Sequence, residues 1–365
     1  MPRYTPLVDS LPASVPFVGP EAQERARGRR FVARIGANES VFGPSPQAVA
    51  AMEQAAAEAW RYCDPENYDL KQALAAHHGV APENIVVGEG IDGLFGYAVR
   101  LFVEPGVTVA TSLGAYPTFN FHVSGFGGRL VTAPYVNDRE DPESLLALAN
   151  KEQAGLLFLA NPDNPMGSWW DGATVQAMIA RLPASCLLCL DEAYCEFALA
   201  GTTPPIDVAN PQVIRFRTFS KAYGMAGARI GYAIGEAGVI KSFDKIRNHF
   251  GVNRIAQAGA LAALADEAHL TWVIDQVEAA RHRIASIGRA NGLAPLPSAT
   301  NFVTMDCGRD GAYARRVLTE LINRDVFVRM PGVAPQDRCI RVSAGTKADL
   351  DVFEQELPAA LKAAN

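Results

Sequence analysis

The chain has 365 residues, 49% hydrophobic and 20% charged, with a net charge of −6 and a pI near 5.6. That composition supports an ample core in one large α/β domain with an appendage or in two domains, and the absence of a long basic run argues against nucleic acid as a partner. No apolar h-region opens the sequence and no window of about 20 apolar residues lacks charge, so neither a signal peptide nor a membrane partner is expected, and the six scattered cysteines read as reduced thiols in a cytoplasm.

Residues 1–30 are proline-rich and then charged, and read as an extended arm with a short helix. A Gly/Pro-punctuated loop from Ile35 leads to Ser45 and Pro46, an N-cap and first-turn pair for a helix reaching Trp60. A second helix, Leu70 to His78, stops at Gly79. His77 and His78 are adjacent, so on a helix they point about 100° apart and do not suit one metal; no metal site is expected. From residue 84 short apolar strands alternate with helices. Strands are expected at Ile85–Val87, Val107–Thr111, Arg129–Ala133, Leu156–Ala160, Cys186–Leu190, Gln212–Arg217 and Ile230–Ile234. Helices are expected at 91–103, 119–126, 142–150 and 174–182. The pattern implies an α/β fold with a mostly parallel sheet covered on both faces, its ligand crevice at the strands' C-terminal ends. Cys186 and Cys189 fit C-x-x-C, but within a strand they face opposite sides, so packing is the expected role.

The character changes near residue 252. Residues 266–290 form a long amphipathic helix, followed by a strand (Asn301–Met305), a helix (Ala312–Asn323), strands at Val326–Arg329 and Cys339–Ser343, and a terminal helix. The expected division is an arm over 1–35, a large domain over 36–252 and a small α+β domain over 253–365, joined by the arm.

The chemistry concentrates in the stretch Arg217 to Arg229, where Lys221 sits among Ala222, Ala226, Gly227 and Ala228. A lysine in apolar surroundings has its charged form disfavoured and becomes a competent Schiff-base amine. Ser220 and Arg229 add a phosphate clamp, and an amine nucleophile beside such a clamp points to pyridoxal 5′-phosphate. Gly88 to Gly93 fits G-x-G-x-x-G and opens a helix, but the next strand ends Thr111-Ser112-Leu113, without the acid that a dinucleotide ribose requires. What remains of that motif is a helix N-terminus able to bind phosphate. Asn161 to Gly167 presents amide side chains after a strand, or is a plain turn. Asp191 ends a buried strand and needs a cation; an ordinary ion pair or a pyridinium N–H would serve, the latter with a gross attraction of roughly 5 kcal/mol at about 3 Å.

Taken together these stretches resemble the fold-type I pyridoxal-phosphate aminotransferases (class I/II), and most closely the histidinol-phosphate aminotransferase branch. The resemblance runs from Asn38-Glu-Ser-Val-Phe-Gly-Pro-Ser-Pro46 through Tyr62-Cys-Asp-Pro65, Gly88-Glu-Gly90, Asn161–Gly167, Asp191-Glu-Ala-Tyr194, Ser220-Lys-Ala and Gly227–Gly231 to Pro297–Phe302 and Ile340–Thr346. It implies a large domain with a seven-stranded sheet, plus a small domain. It implies that Lys221 binds the cofactor and shuttles a proton, that Asp191 holds the pyridine nitrogen, and that Tyr194 and Asn164 face the phenolic oxygen. Phe119 would stack on the ring, and Gly90, Ile91 and Asp92 would hold the phosphate with Thr218, Ser220 and Arg229. Tyr62 would reach the phosphate of a partner subunit, which implies a homodimer with shared sites. Asn38, Arg329 and Arg341 would contact substrate. The implied reaction moves an amino group from an amino acid or amino alcohol phosphate to a 2-oxo acid such as 2-oxoglutarate; a decarboxylase of the threonine-phosphate type, or a lyase, is the alternative. The chain departs from the family at Gly93, Val41 and Ser40, and carries Phe17-Val-Gly-Pro20 where the family's tyrosine offers a hydroxyl to the substrate phosphate.

Overall fold

The structure, a computed structural model, describes residues 2–13 and 18–365; Phe17 lies outside them. Twelve strands occur among the described residues: β1 (Ala33–Arg34), β2 (Ile85–Gly88), β3 (Thr108–Ser112), β4 (Arg129–Ala133), β5 (Leu156–Ala160), β6 (Leu187–Asp191), β7 (Val213–Thr218), β8 (Gly231–Ile234), β9 (Ala294–Pro295), β10 (Phe302–Asp306), β11 (Val326–Phe327) and β12 (Cys339–Ser343). A seven-stranded sheet has the order β2-β8-β7-β6-β5-β3-β4. Strand β8 alone runs antiparallel to its neighbours; the other pairings in this sheet are parallel.

The buried strands are continuous apolar runs because helices cover both faces. Cys186 and Cys189 show this, lying in separate buried clusters: Cys186 packs with Leu145, Val175 and Leu188, Cys189 with Phe95, Phe158 and Phe216. Burial pushes the Cys186 thiol up to about 12, so a packing role is the one their setting supports. Among the described residues no group of three or more His, Cys, Asp or Glu could hold a metal, and His78 is instead bonded to the Tyr232 hydroxyl at 2.9 Å.

Strands β9, β10 and β12 form a three-stranded antiparallel sheet. It packs with the helices Glu267–Ala290, Gly311–Asn323 and Lys347–Ala364, whose buried faces include Val277, Ile284, Val317 and Phe353. Strand β1 pairs in parallel with β11, so the N-terminal segment is stitched to this second sheet. Arg27 and Arg29 reinforce the seam on Asp325.

The helix Arg254–Ala265 has no counterpart in the sequence reading. Its small residues pack against the helix Pro46–Ala56. A Cβ on Gly259 would stand 2.6 Å from Met52 Cγ and 2.8 Å from Met225 Cε, so the close approach needs glycine. Ala256, Ala260 and Ala263 belong to the core of β2 and β8.

Candidate active site

The C-terminal ends of β5, β6 and β7 lie side by side, with Ala160 opposite Asp191 and Asp191 opposite Phe216. Above them opens a cavity of about 420 Å³, lined by Asn38, Ile91, Asp92, Tyr116, Asn164, Asp191, Tyr194, Lys221, Arg229 and Arg341, among others. This is the strand-end crevice expected of such a sheet, and its size suits a small ligand.

At one corner Thr218, which ends β7, bonds Ser220 Oγ at 3.0 Å. Arg229 Nη1 donates to the same Oγ at 3.4 Å. The guanidinium also lies against Gly90, where a Cβ would meet Nη2 at 2.5 Å and φ is +80°. Gly90 opens the helix Gly90–Phe102, so its unpaired first-turn amides point into the same corner. A guanidinium, two hydroxyls and a helix N-terminus make an anion cradle.

The middle of the cavity holds two unbalanced charges. Asp191 is buried; its Oδ1 accepts the Ala193 N–H at 2.9 Å. Burial raises its carboxyl to about 7, against the Ala193 hydrogen bond and the Lys221 charge. Lys221 Nζ donates to the Asn38 carbonyl at 3.1 Å. Burial and then the Arg341 charge lower its amine to about 8, which favours the neutral, nucleophilic form.

Asn38 ties the far wall together. At φ 57° it accepts from Ser343 Oγ at 2.7 Å, and its Nδ2 donates to the Tyr194 hydroxyl at 3.1 Å. Asn301 Nδ2 donates to its carbonyl at 3.1 Å. Arg341 donates to Asn164 Oδ1 and, at 3.3 Å, to the Gly36 carbonyl. Its Nε is buried without a partner, and burial lowers its pKa. A buried guanidinium with a spare donor is a receptor for a carboxylate.

The structure thus brings Asn38, Ile91, Asp92, Asn164, Asp191, Tyr194, Lys221, Arg229 and Arg341 into one cavity, with Gly90, Thr218 and Ser220 at its anion corner. Three expected residues lie elsewhere. Phe119 does not reach the lining: it is fully buried one turn into the helix Pro117–Gly125 and stacks on Phe158 at 4.4 Å. Tyr116, the residue before that helix, forms the wall instead. Arg329 pairs with Arg341 through the backbone and sends its guanidinium to the Val18 carbonyl, beside the cavity rather than in its lining. Tyr62 is exposed at the surface, its ring 4.8 Å from Phe250. Asn301 and Ser343 support the site through Asn38 without being among the expected residues. Their signal was their place at the ends of the two strands that face Asn38.

An amine, an acid lacking a cation and an anion cradle around one crevice match a known group of enzymes. The sequence profile of the family "Aminotransferase class I and II" matches residues 32–357. The chain belongs to the class I and II aminotransferase family. A histidinol-phosphate aminotransferase of Anaeromyxobacter is 35% identical over 354 residues, covering 96% of each protein. That of Moorella thermoacetica is 32% identical over 361 residues, covering 98% of this chain and 92% of the relative. The crystal structure of histidinol-phosphate aminotransferase from Sinorhizobium meliloti, in complex with pyridoxal-5′-phosphate, is 56% identical, with a TM-score of 0.98 over 100% of this chain and 99% of that one. The fold is therefore that of the type I pyridoxal-phosphate transferases, as the resemblance implied. The decarboxylase or lyase alternative is not favoured, since these end-to-end relatives are aminotransferases.

Proposed function

We propose that this aminotransferase uses pyridoxal 5′-phosphate to transfer an amino group from histidinol phosphate to a 2-oxo acid such as 2-oxoglutarate. The observation that carries the cofactor is the juxtaposition of Lys221 and Asp191: an amine lowered to about 8 and a buried acid short of a cation, both facing a cavity that ends in an anion cradle. The residues fit the group. When bound, the cofactor supplies the aldehyde that accepts the amino group and a ring that withdraws electrons from the substrate's Cα. Lys221 anchors it and then carries a proton to and from the reacting carbon. Asp191 keeps a proton on the pyridine nitrogen. Arg229, Ser220, Thr218 and the amides from Gly90 to Asp92 hold the phosphate. Tyr194 and Asn164 orient the phenolic oxygen, and Tyr116, in place of Phe119, supplies the aromatic wall. Arg341 grips a substrate carboxylate or holds a donor's anionic end, with Asn38 and Arg329 alongside.

The same reading makes the protein a cytoplasmic homodimer. Exposed Trp60, Tyr62 and Phe250 are aromatic surface that a second copy would cover, and Tyr62 would then reach the neighbouring anion corner. Among the described residues no helix is long and apolar enough to cross a membrane. The sheets support an arm over 1–35 joined to a small domain and a large domain beginning at 36. The helix Arg254–Ala265 shares the large sheet's core, which favours a boundary at about Asp266 over the one expected at 252–253.

The test is the visible absorbance of the purified protein with added pyridoxal phosphate, followed by single amines. Histidinol phosphate should bleach the band and 2-oxoglutarate restore it. If only another amine, such as an aromatic amino acid, bleaches it, the donor assignment fails and the enzyme class stands. If no band forms, the cofactor assignment fails.

A further inference from the structure

Behind the cavity lies a second pair of acids that the proposed chemistry does not use. Glu140 and Asp163 are each 1% exposed. Glu140 precedes the helix Pro142–Glu152; Asp163 sits in the 161–167 loop, between Pro162 and Asn164, which line the cavity. Glu140 Oε2 accepts from Ser112 Oγ at 2.8 Å and its Oε1 from the Ala160 N–H at 3.3 Å. Asp163 Oδ1 accepts from the Tyr135 hydroxyl at 2.9 Å and its Oδ2 from the Met166 N–H at 3.2 Å. Each acid shifts the other's titration, and the partners of both are hydroxyls and backbone amides rather than cations. Two buried neighbouring carboxyls with no cation between them do not both ionise, so the pair carries a proton.

Burial and the neighbouring Asp163 charge raise Glu140, which places the proton there. Asp163, raised by burial to about 6, is the one whose ionised form is better supported: Tyr135 and Met166 donate to it and the Arg341 charge favours its carboxylate. The titratable groups that feel this pair are Tyr135, Arg341 and Asp191. Through Ser112 and Ala160, Glu140 holds the ends of β3 and β5; through Asp163 it holds the loop that carries Asn164 to Arg341.

Resting on the aminotransferase reading, we infer that Glu140 and Asp163 share a single proton, and that this acid–carboxylate pair is a positioning element that sets Asn164 and Arg341 for the incoming carboxylate. Glu140 acts through its O–H donor, not through charge. A residue able to donate at the same place should therefore replace it, and an apolar residue should not.

The experiment uses holoenzyme, with Glu140→Gln and Glu140→Leu. Infrared difference spectra at pH 8, where a group at about 7 such as Asp191 is mostly ionised, should show the carbonyl stretch of a protonated carboxyl in the parent and its loss in Glu140→Gln. With 2-oxoglutarate as the probe, Glu140→Leu should raise KM about tenfold or more while kcat changes less than about threefold, and Glu140→Gln should keep KM within about threefold of the parent. A spectrum unchanged by Glu140→Gln, or equal KM values for the Gln and Leu variants, overturns the inference. The infrared comparison needs no turnover and requires only the conservative variant. A parent that fails to transaminate therefore counts against the proposed function, while the shared proton is still read.

Discussion

Asp191 and Glu192 are consecutive and both buried, yet their surroundings are opposite. Glu192 is closed off by its own sheet: Arg215 donates from Nη2 at 2.5 Å and Nε at 3.0 Å, and Arg217 from Nε at 2.9 Å. Against the cost of burial, Arg217 and Arg215 hold its carboxyl below the usual range. Asp191 faces the cavity with a backbone N–H on one oxygen, and burial dominates. The first acid is finished by the fold; the second is left for something that the fold does not contain. The same contrast separates Lys221, whose amine is depressed to about 8, from Arg217, which burial opposes but whose surrounding anions raise. Buried charge that the chain balances itself is architecture, whereas buried charge left unbalanced beside a cavity marks a site.

The largest effect that would break this contrast lies at Lys221. Lys221→Ala removes the nucleophile and the proton carrier together, so turnover should fall below detection. The anion cradle and Asp191 are untouched, so pyridoxal phosphate should still bind without a covalent link. Borohydride followed by mass analysis should tag residue 221 in the parent and leave the variant unmodified. Full turnover in the variant would remove Lys221 from the mechanism.

The two acids themselves come next. Glu192→Gln leaves two buried guanidinium groups without their anion and should destabilise the fold by about 3–5 kcal/mol, seen as a lower melting temperature. Asp191→Asn should cost about 10²–10³ in kcat through lost charge stabilisation and should not weaken the cofactor-free fold. The sign follows from linkage. The folded Asp191 titrates near 7, above its ordinary 3.8, so the folded state binds the extra proton between those values and loses stability as pH rises through them. Asn removes that loss. The cofactor-free variant should therefore melt above the parent at pH 8 and with it at pH 4. Lys221 works the other way, since its folded value of about 8 lies below the ordinary 10.5 and stability rises with pH across that interval. A variant that melts below the parent at pH 8 would mean that Asp191 is architecture after all.

Most of the large sheet was legible because its strands are short apolar runs between turn formers, and parallel burial leaves such runs little other choice. The strand-end residues Asp191, Ser220 and Lys221 followed from the same pattern, while Thr218 came with the family resemblance. The far wall did not follow from spacing. Asn38, Asn164 and Arg341 are joined across most of the chain, as in the Ser343–Asn38 bond between residues 305 apart, and only family resemblance placed them together. The helix Arg254–Ala265 was missed because its alanines and glycine give no bulky periodic stripe; they serve close helix packing instead.

Phe119 offers the smallest and most local test. Its place relative to Tyr116 follows from where the helix begins. Pro117 occupies the first turn, and the residue before a proline is turned away from helical geometry; Tyr116, at ψ 115°, is left on the crevice. Phe119 is carried round to the sheet, onto Phe158 and edge-on to Phe95. The two aromatics should therefore fail differently. Phe119→Leu should lower stability by about 1–2 kcal/mol through lost core packing, with the affinity for pyridoxal phosphate unchanged. Tyr116→Leu should leave the melting temperature of the cofactor-free protein close to the parent's and weaken cofactor binding about two- to tenfold, the worth of one aromatic stacking contact at about 0.5–1.5 kcal/mol. Titration of both cofactor-free variants with pyridoxal phosphate, alongside melting curves, separates the roles. A cofactor defect in Phe119→Leu without one in Tyr116→Leu would return the stacking role to Phe119 and require the helix to rotate when the cofactor binds.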